Sequence, residues 1–368
     1  LCKSNGFFVI KDFVCSKKLL SSHLILTIQK EVLPMNYINP GLNKAAITAL
    51  GAYVPKHKLT NADLEKMVDT NEEWIFARTG IKERRILTGQ HKGTSFMAIK
   101  AAQDLLIKKN IDPKRIDMVI VATITPDMNV AATAAQVASE IGAENAFAYD
   151  LQAACSGFLY GMSTASSMIV SGRYKKVLLI GADKMSSIVD YEDRSTCIIF
   201  GDGAGAALFE ASNSDFGWED EYFRSDGSGR KYLNIKAGGS LLPASEVTVE
   251  NKMHYLYQDG KIVFKSAVSE MCNAAEKIIQ RNKIDTKKIA YLVPHQANQR
   301  IIDAVAKRIN VPLQKVMNNI EKYGNTTAAT LPLLLNEYEN KLSPGDKLIF
   351  AAFGGGFTWG AAYLTWAY

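Results

Sequence analysis

A chain of 368 residues, 47% hydrophobic and 22% charged, has the composition of a globular protein long enough for two domains or for one core built from duplicated halves. No apolar run reaches the ~18 residues of a membrane span, which argues against a helical membrane protein. The formal charge of +6 owes half its size to residues 1–34, where five lysines face Asp12 and Glu31, so the remainder is too weak for a nucleic-acid surface.

Met35 reads as the natural start and residues 1–34 as an extension outside the fold, because that stretch lacks a signal core with a small-residue cleavage site. The division expected is therefore 1–34, then halves 35–212 and 213–368. Five cysteines, at 2, 15, 155, 197 and 272, are odd in number and lack short metal-ligand spacings, which points to a reducing, cytoplasmic setting.

In chain order, a helical pattern over 95–108 leads through Asn110-Ile111-Asp112-Pro113-Lys114-Arg115-Ile116 into the buried strand 118–122. The apolar stretch 146–149 precedes Asp150 to Ala154, then Cys155-Ser156-Gly157 opens a helix to about Ser171, followed by a strand over 177–180. Phe200-Gly201-Asp202-Gly203-Ala204-Gly205-Ala206 lacks the Lys-Ser/Thr ending of a phosphate loop and reads as a tight turn before a strand at 207–209.

The pattern then repeats. A helix over 266–281 leads through Lys283-Ile284-Asp285-Thr286-Lys287-Lys288-Ile289 into a strand at 291–294, with Ile111 and Ile284 173 positions apart. Helical periodicity follows to Arg308. Gly324-Asn325-Thr326-Thr327 opens a helix to about Asn340, and a strand at 348–352 runs into Phe353-Gly354-Gly355-Gly356-Phe357. Duplicated helix–strand units imply mainly parallel sheets in an α/β layered architecture with two pseudo-symmetric halves.

Equivalent loops of such halves face one another, which would bring Cys155, His295 and Asn325 together. Cys155 at a helix start would feel unpaired N–H groups and the helix dipole, both favouring the thiolate, although an inert core thiol fits its position equally well. His295 ends an apolar strand, where α/β sheets place ligands, and Asn325 is also a good helix cap. The glycines after the last strand allow a backbone N–H to approach an oxyanion. Cys197 and Cys272 read as core.

Gln152-Ala153-Ala154-Cys155-Ser156-Gly157-Phe158, Val293-Pro294-His295-Gln296-Ala297-Asn298, Gly324-Asn325-Thr326-Thr327-Ala328-Ala329 and Phe353-Gly354-Gly355-Gly356-Phe357-Thr358-Trp359-Gly360 together resemble β-ketoacyl-acyl-carrier-protein synthase III, a condensing-enzyme family of thiolase-like fold. The resemblance runs from about Ala45 to Tyr368. It implies a layered αβαβα core in which Cys155 takes an acyl group from a short acyl-CoA. His295 and Asn325 then bind the malonyl thioester of malonyl-acyl-carrier protein as carbon dioxide leaves, and the N–H groups of Cys155 and Gly355 form the oxyanion hole. No metal or redox cofactor is implied.

By the same resemblance Trp74 and Arg194 would bracket the CoA adenine, with Arg78 and Asn298 also at the CoA site. Lys265, Arg300, Lys307 and Arg308 would form the basic rim for the carrier protein, and a homodimer is implied. The chain departs from the family pattern at Val130, where some members carry an aromatic acyl-pocket residue, and at Lys261, a commonly amide position. A wider acyl tunnel is the expectation from Val130. Polyketide or quinolone-type ketosynthesis on the same fold, or a silent scaffold homologue, are the competing readings.

Overall fold

The computed structural model describes residues 44–212 and 214–368; the extension expected over 1–34 lies outside the described residues. A five-stranded sheet is built from Ala45–Tyr53, Gly203–Ala211, Lys176–Asp183, Met118–Ala122 and Phe147–Leu151, in that spatial order. A four-stranded sheet follows the same plan in the order Ile289–Pro294, Lys347–Gly354, Thr358–Thr365 and Gly217–Ser225. In each, the strand after the Ile-Asp-x-Lys motif pairs in parallel with the strand ending at Asp183 or Gly354, which in turn pairs antiparallel with the next.

The repeated motif has one structural cause in both places. Asp112 caps the 3-10 turn Pro113–Arg115 by accepting from the Lys114 N–H, and Asp285 caps Thr286–Lys288 by accepting from the Lys287 N–H, each at 3.0 Å. A capped turn of that kind delivers the chain directly into a central strand.

Alternation along the strands assigns the layers. Ile120 and Leu179 face the helices Gly157–Val170 and Thr330–Tyr338, which lie between the sheets with Phe158, Met162, Leu331 and Leu334 fully or nearly fully buried. Val119, Val121, Leu178 and Ile180 face outward onto Thr94–Lys109. On the second sheet Leu292, Ile349 and Ala351 face Gly260–Arg281 and Gln299–Arg308. The result is five layers, αβαβα. Strands apolar on both faces are what two-sided burial requires, and each such aliphatic side chain contributes about 1.5–3 kcal/mol by leaving water.

Two sequence expectations change. The glycine-rich stretch after Phe200 is a tight turn only at its start: Gly203 and Gly205 lie inside the strand Gly203–Ala211. A Cβ on Gly205 would fall 2.7 Å from the Cβ of Pro332, so the small residue serves close helix-to-strand packing. Asn325 does not open the helix either. A 3-10 turn, Thr327–Ala329, intervenes before Thr330–Tyr338.

Candidate active site

Cys155, His295 and Asn325, separated by up to 170 positions in sequence, line one cavity of about 500 Å³. Cys155 and His295 each stand just past the end of a strand, and Asn325 follows the short helix Ile320–Tyr323. Cys155 follows Phe147–Leu151 in the 3-10 turn Ala154–Ser156, with Ala154 in the left-handed region at φ 48° and the helix Gly157–Val170 immediately behind. The last strands close over that turn: Ser156 Oγ donates to the Thr358 carbonyl at 3.0 Å, and Thr358 Oγ1 donates to the Ala153 carbonyl at 2.9 Å. Gly354 approaches so closely that a Cβ there would lie 2.6 Å from the Cys155 nitrogen.

The expected thiolate is not what this setting favours. Burial pushes the Cys155 thiol up to about 12, the negative charge of Asp183 adds to the rise, and hydrogen bonds from the Asn325 side chain and the residue's own N–H oppose it without reversing it. The helix-terminus effect is outweighed because Cys155 is only 7% exposed, and a charged sulfur there forfeits its hydration. At rest Cys155 is a thiol.

Asn325 is clamped by its backbone: its N–H donates to the Ile199 carbonyl at 2.9 Å and its carbonyl accepts from Gly201 at 3.1 Å. Gly324 makes this possible, having φ 62° and a Cβ position 2.6 Å from the Ile199 oxygen that no side chain could occupy. The Asn325 carboxamide oxygen accepts from the Thr327 N–H at 2.9 Å, which leaves the amide NH2 as its donor toward the thiol.

His295 follows the strand Ile289–Pro294 and places Nδ1 2.8 Å from Thr330 Oγ1. That hydroxyl also lies 3.1 Å from the Thr327 carbonyl. Its single proton, given to Nδ1, makes Nε2 the protonated nitrogen; given to Thr327, it requires Nδ1–H and leaves Nε2 an acceptor.

Burial alone pulls the imidazole down to about 3, so His295 is neutral throughout the neutral range. A base whose folded pKa lies below its unfolded value binds fewer protons when folded, so this residue costs stability as pH falls from about 6.5 toward 3. The ring resonances of His295, identified by their loss in His295→Ala, are accordingly expected to stay constant in NMR titrations from pH 5 to 8. A midpoint near 6.5 would contradict the burial argument.

The residues expected at the CoA site form one cluster. Trp74, on the helix Glu72–Thr79, has the Arg194 guanidinium 5.0 Å and the Arg78 guanidinium 5.4 Å from its ring centre. Arg194 also donates to the Asp69 carbonyl at 2.7 Å. Asn298 caps the helix Gln299–Arg308, donates to the Arg78 carbonyl at 2.8 Å and lines the cavity, joining the cluster to it. Gly355 lines the cavity as well.

The basic residues divide. Lys265 and Lys307 are exposed and Arg300 lies over the Phe264 ring, whereas Arg308 makes two hydrogen bonds to Glu276, at 2.6 and 3.0 Å. Val130 does not line the cavity of its own chain: it is 86% exposed, on a loop whose far end is fastened by Asp150 accepting from the Thr133 and Ala134 N–H groups. Lys261 is exposed on the first turn of Gly260–Arg281.

Sequence reasoning missed Thr330, the partner of His295, and Arg230, Asn234 and Gln258, polar residues of the cavity wall. Nothing in their sequence neighbourhoods distinguishes them from exposed polar residues: Asn234 and Gln258 reach the cavity through the pairing of Leu233–Ile235 with Leu256–Gln258, Arg230 reaches it from the turn before, and Thr330 meets His295 from the start of Thr330–Tyr338.

Comparison with known proteins agrees with this architecture. The family model described as 3-oxoacyl-[acyl-carrier-protein] synthase III matches residues 149–227, and the one for its C-terminal part matches 279–366. A β-ketoacyl-[acyl-carrier-protein] synthase III of Phocaeicola vulgatus is 56% identical over 324 residues, covering 88% of this chain and 97% of the relative. One from Porphyromonas gingivalis is 53% identical over 334 residues, covering 91% and 98%. The crystal structure of 3-oxoacyl-[acyl-carrier-protein] synthase III from Aquifex aeolicus superposes with a TM-score of 0.80 at 41% identity, covering 88% of this chain and all of that one. With identity above one half over nearly the whole length of a relative, and the same layered fold beneath it, the chain belongs to the β-ketoacyl-[acyl-carrier-protein] synthase III family.

Proposed function

We propose that this acyltransferase of fatty-acid synthesis joins an acyl group, carried on Cys155 from an acyl-CoA primer, to the malonyl unit of malonyl-acyl-carrier protein, releasing CoA and carbon dioxide. The observation that carries the reading is the meeting of Cys155, Asn325 and a neutral His295 in one largely buried cavity. The Cys155 sulfur attacks the primer carbonyl, CoA departs with the thiol proton, and the acyl group remains as a thioester. Loss of carbon dioxide from the malonyl thioester then places charge on its carbonyl oxygen, which His295 and Asn325 stabilise by hydrogen bonding. The new carbanion attacks the acyl carbonyl, whose oxygen is held by the N–H groups of Cys155 and Gly355. Collapse breaks the carbon–sulfur bond, releasing the β-ketoacyl product and the Cys155 thiolate, which takes a proton from solvent to restore the thiol. None of these steps calls for a metal or a redox cofactor.

This role fixes a tautomer. His295 donates to the thioester from Nε2, so Thr330 gives its hydroxyl proton to Nδ1. Trp74, Arg78, Arg194 and Asn298 hold the CoA, with the Trp74–Arg194 stack opening to take the adenine between its faces. Lys265, Arg300 and Lys307 attract the acidic carrier protein, and Arg308, already paired with Glu276, adds less to the field. The halves divide near residues 212 and 213.

The chain acts as a homodimer. Phe147–Leu151 is an edge strand, with Phe147 43% exposed, and an open edge is a template for pairing with a second copy. The loop carrying Met128 and Val130 is fastened to the same strand through Asp150, so pairing there would cover both, and Val130 would then meet the acyl chain of the partner's cavity rather than its own.

Intact-mass spectrometry after incubation with acetyl-, isobutyryl- and longer acyl-CoAs tests the reading. An acyl adduct that malonyl-carrier protein discharges into a β-ketoacyl product is expected. No adduct with any primer, or an adduct that malonyl-carrier protein leaves in place, would overturn it.

A further inference from the structure

The duplication places two backbone N–H groups in equivalent settings, and the two are used differently. Ala154 and Thr327, 173 positions apart like the repeated motifs, both take the left-handed conformation, at φ 48° and 56°, and each begins a 3-10 turn. The next residue is Cys155 in one half and Ala328 in the other. The strand that ends against each turn is also equivalent: Lys347–Gly354 ends at Gly354 beside the Cys155 nitrogen, whereas Lys176–Asp183 ends at Asp183. Where glycine leaves the first N–H room for a substrate oxygen, the Asp183 carboxylate reaches the second, accepting from Ala328 at 3.1 Å.

Asp183 is fully buried, and its other oxygen accepts from Thr123 Oγ1 at 2.9 Å, Thr125 Oγ1 at 3.0 Å, and the Ile124 and Thr125 N–H groups at 2.8 and 3.2 Å. Five donors converging on one carboxylate define its position closely. The turn it holds carries the rest of the site: the Thr327 N–H orients the Asn325 amide, and Thr330, the residue directly after the turn, holds His295.

We propose that Asp183 is a positioning residue of the condensing site, a built-in anion that occupies the second half's counterpart of the oxyanion hole and so fixes the turn orienting Asn325 and His295. The proposal rests on the condensing function given above. It carries a second consequence, because the turn the carboxylate holds packs against the segment bearing Cys155, where a Cβ on Gly157 would lie 3.7 Å from the Ala328 Cβ, and the buried charge of Asp183 raises the thiol. Removing the charge therefore affects the two half-reactions in opposite directions. Burial lifts Asp183 itself to about 6, so it is largely ionised at pH 7.5.

Asp183→Asn keeps the volume, but its NH2 end faces donors it cannot accept from. In this variant, malonyl-thioester decarboxylation is expected to fall at least about tenfold, as for a displaced oxyanion donor. Alkylation of Cys155 by iodoacetamide at pH 7.5 is expected to rise a few-fold, as the thiolate loses a like-charged neighbour. A residue important only for folding would lower both together. Should Asp183→Asn fold poorly, Thr123→Val removes one of the five donors and is expected to give the decarboxylation loss in smaller degree, with Thr123→Ser restoring it. Wild type that takes no acyl group from any acyl-CoA overturns the condensing reading and this role with it. Wild type that acylates and condenses, with the variants matching it in both half-reactions or losing both in parallel, overturns the role of Asp183 alone.

Discussion

Replacing Cys155 by alanine is expected to abolish the acyl-enzyme and to lower condensation by at least roughly a thousandfold, since among the described residues no other cysteine lines the cavity to form the thioester in its place. The other two cysteines described are poor substitutes. Cys197 is fully buried in the cluster around Ile75 and Phe200, and Cys272 lies on the outward-packed helix Gly260–Arg281, facing the Ala304 carbonyl. Decarboxylation of the malonyl thioester should survive in the variant, because His295 keeps Thr330 and Asn325 keeps Thr327 when the sulfur is gone. The fold should hold too, as deleting one buried atom costs on the order of 1 kcal/mol. The measurement is intact mass after incubation with acyl-CoA, alongside carbon dioxide release from malonyl thioester. An adduct persisting on Cys155→Ala would move the nucleophile elsewhere, and loss of decarboxylation together with acylation would mean that the sulfur itself takes part in breaking the malonyl carboxylate.

Much of this architecture is legible in the chain, and the exceptions share a cause. The repeated Ile-Asp-x-Lys motif reports the duplication because a capped turn is local: Asp112 and Asp285 bond N–H groups two residues away. Apolar strands and amphipathic helices are likewise local patterns, which is why Met118–Ala122 appears with its expected bounds. The state of the thiol is not local. It depends on burial under residues near position 354 and on Asp183, whose own partners span Thr123 to Ala328. The helix-start argument for Cys155 is sound for an exposed thiol and fails for a buried one. In the same way, Gly203 and Gly205 look like turn residues until Leu333 and Pro332, more than a hundred positions later, pack against the first and the second of them. The cluster of Trp74, Arg78 and Arg194 is legible only through family resemblance, since no periodicity links a helix near residue 75 to one beginning at 194.

Gly354 offers the sharpest steric test of the site, with its neighbour as control. Its φ lies outside the left-handed region, so alanine meets no backbone penalty and the effect of the methyl is one of space. That methyl would stand 2.6 Å from the Cys155 nitrogen, 3.1 Å from the Ser156 nitrogen and 3.2 Å from the Ala154 Cβ. Backbone cannot swing aside as a flexible side chain does, so the turn bearing Cys155 must shift or the strand Lys347–Gly354 must retreat. Either movement misdirects the Cys155 N–H, and loss of one oxyanion donor typically costs a hundredfold to a thousandfold in rate. Gly354→Ala is therefore expected to slow acylation by about a hundredfold and to lower stability by about 1–3 kcal/mol through overpacking. At Gly355 a methyl would meet Leu233 and Ala154 at 3.5 and 3.6 Å, ordinary contact distances, so Gly355→Ala should stay within about tenfold of wild type. Single-turnover acylation rates and urea unfolding of the two variants make the comparison. Equal rates would show that the approach of Gly354 to Cys155 is not what shapes the oxyanion site, and an inverted order would place the critical clearance at Gly355.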